Sequence, residues 1–120
     1  MEGSPRDAFS TLRDALRHFA ADRDWDQYHS PKNLASALCV EAAELLEHFQ
    51  WLTDEASKSL SAQQLSQVSE EMGDVLLYLI RLADKLNVDL IEAADNKIAL
   101  NAQKYPADKA RGSNRKYTEL

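Results

Sequence analysis

Two acid pairs, Glu41-Ala-Ala-Glu44 and Glu71-Met-Gly-Asp74, interrupt stretches that otherwise read as buried helix. Residues three apart share a helix face, so each pair aims two carboxylates one way. Glu41 is in register with Leu34, Leu38 and Leu45, and Glu71 with Val68, Val75 and Tyr78. Four carboxylates directed at one bundle interior repel each other and lose hydration, at on the order of several kcal/mol each. A divalent cation relieves both effects. All-oxygen ligands suit Mg²⁺ or Mn²⁺, which keep positions open for water and phosphate oxygens. A single Glu-x-x-Glu pair is more often a solvated face, because Glu is a good helix former. Two pairs, each aligned with an apolar stripe on its own long helix, favour the metal site. Glu47 and Glu70 extend the acid runs, either as outer groups or as surface charges.

Di-iron carboxylate bundles need Glu-x-x-His pairs. Here the residues three beyond Glu44, Glu47 and Glu71 are Glu47, Gln50 and Asp74, so a hard-cation site is favoured over a redox site. No glycine-rich phosphate loop exists; the glycines are scattered at 3, 73 and 112. No Ser-His-Asp or Cys-His arrangement can be argued. The chemistry therefore falls to metal plus carboxylate, which fits phosphoryl-type transfer, where positioning and charge neutralisation dominate. Trp25 and Tyr28 precede one helix and Trp51 ends it. Such residues can stack on a nucleobase or cover the apolar end of a bundle. His29 can touch a base edge or a phosphate, or simply be solvated.

These groups must be held by helices. A stripe of Phe9, Leu12, Leu16 and Phe19 predicts a first helix over 6–22. Ser30-Pro31 opens a second, with Ser as N-cap and Pro in the first turn, and the pattern carries it to about Leu52. Residues 53–60 read as a polar connector. Ser61-Ala-Gln-Gln64 is a capping box opening a third helix to about Leu86, with Asn87 able to end it. Asp89-Leu-Ile-Glu92 opens a fourth, ending near Tyr105-Pro106. No strand periodicity or internal repeat is present. The expected fold is all-α, a four-helix-type bundle in a single domain over 1–120, with residues 106–120 a basic tail ordered by a neighbour or ligand. The run Val75-Leu-Leu-Tyr-Leu-Ile80 is apolar nearly all round, so assembly into a dimer or tetramer is expected.

The 120 residues carry a net charge of −6, which argues against nucleic acid as a partner. Residues 1–96 hold a net −10 and residues 97–120 a net +4. An acidic body and a basic tail could clasp a metal-bound polyphosphate from two sides, although charge alone favours a solvated tail. No apolar run approaches membrane-spanning length, and the N-terminus lacks signal-peptide character, so a cytoplasmic protein with no membrane partner is expected. The lone Cys39 lies among Ala35, Ala42 and Ala43 and reads as a packing residue.

Taken together, several stretches resemble the MazG-like all-α nucleotide pyrophosphohydrolases, in their deoxycytidine-triphosphate branch. They are Arg-Asp-Trp25-Asp-Gln-Tyr-His29-Ser-Pro-Lys-Asn33, Glu41-Ala-Ala-Glu44-Leu-Leu-Glu47-His-Phe-Gln-Trp51, Glu70-Glu71-Met-Gly-Asp74-Val-Leu-Leu-Tyr78, and Lys97 with Asn101, Lys104-Tyr-Pro106 and the ending Ala-Arg-Gly-Ser-Asn-Arg-Lys-Tyr-Thr-Glu-Leu120. The resemblance covers nearly the whole chain after Phe9. It implies Mg²⁺-dependent hydrolysis of a deoxynucleoside triphosphate, dCTP or a modified dCTP, to monophosphate and pyrophosphate, as nucleotide-pool cleansing. It implies Glu41, Glu44, Glu71 and Asp74 as metal ligands. It implies substrate contacts from Trp25, His29, Trp51, Tyr78, Lys97 and Asn101, and a homotetramer or homodimer. One departure stands out. Relatives that prefer cytosine place a histidine where Leu16 stands here, so discrimination among pyrimidines should be weaker. The alternatives are the same fold acting on another nucleotide, such as dUTP, and a non-enzymatic helical assembly module.

Overall fold

A computed structural model describes residues 3–120, and every regular element among the described residues is helical. The chain forms two compact units that meet in sequence between Val88 and Asp89.

The first unit holds α1 (Pro5–Asp22), a 3₁₀ turn at Asp26–Tyr28, α2 (Pro31–Glu47), the single turn α3 (Asp54–Ser57) and α4 (Ala62–Leu86). Each helix starts where the side chains supply a cap. Ser4 accepts from the Asp7 amide while Asp7 accepts from the Ser4 amide, and Pro5 occupies the first turn. Ser30 accepts from the Asn33 amide ahead of α2. Ser61 and Gln64 form the expected reciprocal box. Asn87 closes α4 in the left-handed region at φ 59°, which Asn tolerates better than most residues.

α4 packs along α2 as the most extensive pairing of the unit, and α1 packs on α4. Leu34, Val68, Ile80, Ala83 and Ala20 are the buried apolar residues. This core is small because much of the apolar surface of α4 faces outward. Leu65, Met72, Leu76, Leu79 and Leu86 are all exposed. Four of them recur every seventh residue, so they form one stripe along the helix.

Two expectations are corrected here. α2 stops at Glu47 rather than near Leu52. The His48 and Phe49 amides turn back to carbonyls three residues earlier, which tightens the last turn and ends the α-type ladder. The connector is also less irregular than expected: Thr53 caps the Ala56 amide at 3.1 Å and nucleates α3.

The second unit holds α5 (Leu90–Lys104), the single turn α6 (Ala107–Ala110) and a 3₁₀ turn at Tyr117–Glu119. Asp89 caps α5 by accepting from the Glu92 amide at 3.0 Å. The tail is structured within the chain itself. Gly112, at φ 73°, reverses it, and the Tyr117 ring meets the Tyr105 ring edge-on at 6.0 Å, with the Lys104 ammonium 5.0 Å from the Tyr117 ring centre. No helix among the described residues is long and apolar enough to cross a membrane.

Candidate active site

α2 and α4 carry the acid pairs, and their packing brings three carboxylates together. One oxygen each from Glu41, Glu44 and Glu71 lies within 4.8 Å of the others. All three residues are partly buried. Glu41 Oε2 and Glu71 Oε2 are fully shielded from solvent and have no hydrogen-bond partner. A buried carboxylate oxygen without a donor costs about 1–3 kcal/mol or more. Burial pushes the Glu41 carboxyl up to about 7, helped by the close approach of the Glu44 and Glu71 carboxyls and by the negative charges of Glu44 and Asp74. Orphaned oxygens, all-oxygen donors and mutual repulsion are what a divalent cation would satisfy, so these residues fit such a group.

Asp74 stands apart from the tight trio. It is exposed and lies on the wall of an adjoining cavity of about 200 Å³. Leu16, Phe19, Ala20, Trp25, His29, Leu77, Tyr78 and Arg81 complete that wall. The cavity is apolar on the α1 side and polar on the α4 side.

The loop after α1 supplies Trp25 and His29, and local bonds hold it. Asp24 takes the left-handed conformation at φ 54°, and the Gln27 amide donates to its carbonyl and carboxylate. The Asn33 side chain donates to the Tyr28 carbonyl at 2.9 Å, tying the loop to α2. Trp25 meets Phe19 edge-on at 5.6 Å, and the Arg23 guanidinium lies 3.6 Å from the Phe19 ring centre.

Of the residues singled out in the sequence, the structure therefore groups Glu41, Glu44 and Glu71, and separately groups Asp74, Trp25, His29 and Tyr78 around the cavity. Leu16 also lines that cavity. Trp51 is 87% exposed, in the turn beyond α2, and is not part of the cavity wall. Lys97 and Asn101 lie exposed on α5, in the second unit. The charged residue on that wall that escaped the sequence reading is Arg81. The signal was present: an arginine in the apolar part of α4, three residues beyond Tyr78 on the same face.

Comparison with known proteins agrees with this architecture. Residues 37–120 match the MazG-like family. The chain is 44% identical to dCTP pyrophosphatase 1 of Homo sapiens over 119 residues, covering 98% of this chain and 70% of the relative. It is 41% identical to dCTP pyrophosphatase 1 of Mus musculus over the same coverage. The fold superposes on a crystal structure of a pyrophosphatase from Archaeoglobus fulgidus with a TM-score of 0.79 and 38% identity, covering 88% of this chain and 96% of that one. On the strength of that family match and the length over which the relatives align, this chain belongs to the MazG-like family.

Proposed function

We propose that the chain is a dCTP pyrophosphohydrolase: water attacks the α-phosphorus, the bond from α-phosphorus to the bridging oxygen breaks, and pyrophosphate leaves with dCMP as the other product. The observation that carries this reading is a carboxylate trio in which Glu41 and Glu71 each bury an oxygen without a donor, together with a cavity of about 200 Å³ lined by Asp74, Trp25 and Tyr78. The naming of the dCTP pyrophosphatase relatives supports the same substrate.

Glu41, Glu44, Glu71 and Asp74 would hold Mg²⁺, with Mn²⁺ as a substitute. Bound there, the cation would neutralise the triphosphate and lower the cost of charge developing on the leaving pyrophosphate. The chain supplies the rest. Trp25 and Tyr78 enclose the base and exclude water from one side of it. His29 donates a hydrogen bond to the nucleotide. One of the clustered carboxylates takes the proton of the attacking water. Trp51, Lys97 and Asn101 are proposed as further substrate contacts, with residues 1–120 acting as one catalytic domain in nucleotide-pool cleansing.

Incubation with each dNTP and Mg²⁺, followed by pyrophosphate measurement, tests the activity. dCTP should be the best substrate, with dUTP and dTTP turned over less poorly than a polar residue in place of Leu16 would allow. Trp25→Ala should raise KM in similar proportion for every accepted nucleotide, because stacking, worth about 1–3 kcal/mol per base, tolerates any base. Equal turnover of dATP and dCTP would refute the cytosine assignment. No pyrophosphate from any nucleotide would sink the hydrolase reading.

The exposed stripe on α4 supports assembly into a dimer or tetramer, since an apolar band of this length in water favours a partner helix. Light scattering at micromolar concentration should report at least a dimer of the 13.5 kDa chain. A stable monomer would contradict this, and Leu79→Lys should weaken the assembly.

A further inference from the structure

Arg81, on the wall of the cavity beside His29, joins a connected set of charges to which the proposed hydrolysis assigns no role. Arg81 is the centre of that set and only 6% exposed. A guanidinium is tolerated at such depth when its donors are paired. Arg81 Nη2 donates to Asp26 Oδ1 at 2.6 Å, and Nη1 lies 3.6 Å from Asp84 Oδ2. Its Nε donates to His29 Nδ1 at 3.2 Å. The acidic partners are themselves held from other sides. Lys85 Nζ donates to Asp26 Oδ1 at 2.5 Å, and Arg17 grips Asp84 through two bonds of 2.7 and 2.5 Å. Arg17 comes from α1, Asp26 and His29 from the following loop, and Arg81, Asp84 and Lys85 from α4. The network thus clamps three segments around the imidazole.

The clamp has a chemical consequence. A guanidinium has donors, no acceptor, and stays protonated. His29 Nδ1 must therefore carry a lone pair toward it. The one ring proton of the neutral imidazole then sits on Nε2. An imidazolium would set its own N–H against the Arg81 N–H, and a flipped ring would set a C–H there. Burial, then the positive charges of Arg81 and Lys85, hold His29 below its ordinary range, with Asp26 opposing. Asp74 and Tyr78 of α4 are the other titratable groups on the same cavity wall.

We infer that Arg81 is a positioning residue that fixes His29 as a neutral imidazole with a single donor, Nε2–H, for an acceptor oxygen of the bound nucleotide. This rests on the nucleotide reading of the cavity. The oxygen belongs to the base carbonyl or to a phosphate, and both call for the same donor.

Nitrogen-15 NMR of the imidazole in the full chain, without nucleotide, reads the tautomer independently of activity. At pH 7 the wild type should show one tautomer, protonated at Nε2, and Arg81→Gln should show a mixture. A wild-type ring protonated at Nδ1, or at both nitrogens, would overturn the inference and leave the hydrolase reading intact. Kinetics supply a second arm that does not require altering the buried arginine. The amide of Gln reaches where Nε2 lies, and that of Asn only where Nδ1 lies. His29→Asn should therefore raise KM about tenfold more than His29→Gln, the worth of about one hydrogen bond, with kcat changed less. Equal effects of the two variants would also overturn the inference. A KM increase common to all nucleotides assigns the oxygen to phosphate; one that varies with the base assigns it to the base carbonyl.

Discussion

A Glu41→Gln protein is expected to lose more than 100-fold in dCTP hydrolysis while melting no lower than the parent chain when divalent cations are chelated. The two outcomes share one cause. Glu41 Oε2 is buried without a donor, beside Glu44 and a Glu71 oxygen in the same condition. An amide removes one of the repelling charges and brings an N–H that can serve a neighbouring carboxylate. It recovers part of the roughly 1–3 kcal/mol that an unsatisfied buried group costs. The same change weakens the cation site, and loss of a direct ligand should exceed the about 10–100-fold that outer-shell changes cost. Asp74→Asn should separate the two effects. Asp74 is exposed and outside the tight trio, so activity should fall while metal-free stability stays nearly constant. Initial rates and thermal melts in chelator check both variants. Full activity in Glu41→Gln would remove the metal-site assignment.

The second large effect is a reciprocal dependence of stability on pH and Mg²⁺. Glu41 is raised from 4.5 to about 7 in the fold. Its proton is held more tightly in the folded chain than in the unfolded one. The stabilisation is therefore fully present below about 4.5 and is lost as pH rises through about 7. At about 1.4 kcal/mol per unit, reduced for solvent screening, this is on the order of 2 kcal/mol. Without divalent cations, the melting temperature should fall between pH 5 and pH 8. Mg²⁺ should restore it at pH 8, where the carboxylates are ionised and a cation need not displace a proton. At a hundredfold excess over Kd the gain is about 2.7 kcal/mol, which at roughly 4 °C per kcal/mol is near 10 °C. The gain at pH 5 should be much smaller. Differential scanning fluorimetry at the two pH values decides this, and an equal Mg²⁺ shift at both would show that proton and cation do not compete for Glu41.

Much of this architecture is written in short stretches of the chain. Ser61 and Gln64 define the start of α4 because a capping box needs only four consecutive residues. Asn87 ends it for an equally local reason. The register of Glu41 with Leu34, and of Glu71 with Val68, follows from helical periodicity alone, and it pointed to carboxylates turned toward a partner helix. The end of α2 was less legible. The residues from His48 to Leu52 suit a helix by composition, but the His48 and Phe49 amides bond to carbonyls three residues back and end the α-type ladder. Nor was the path of the tail legible: Tyr105 meets Tyr117 across a turn at Gly112, a ring contact that polar composition conceals.

By itself, then, the amino-acid sequence determined the helices, their caps, the faces that bear the acids, and the family to which such a set of motifs belongs. The helices, caps and acid-bearing faces each depend on residues within one or two helical turns, where backbone geometry translates spacing directly into direction. Only the tertiary structure decided which acids meet: Glu44 joins Glu41 and Glu71 while Asp74 turns to the cavity. It also decided that Trp25, not Trp51, lines that cavity, and that Arg81 reaches across 52 residues of sequence to His29. These outcomes depend on how α1, α2 and α4 dock. Docking is set by the sum of many small packing contacts rather than by any single spacing along the chain.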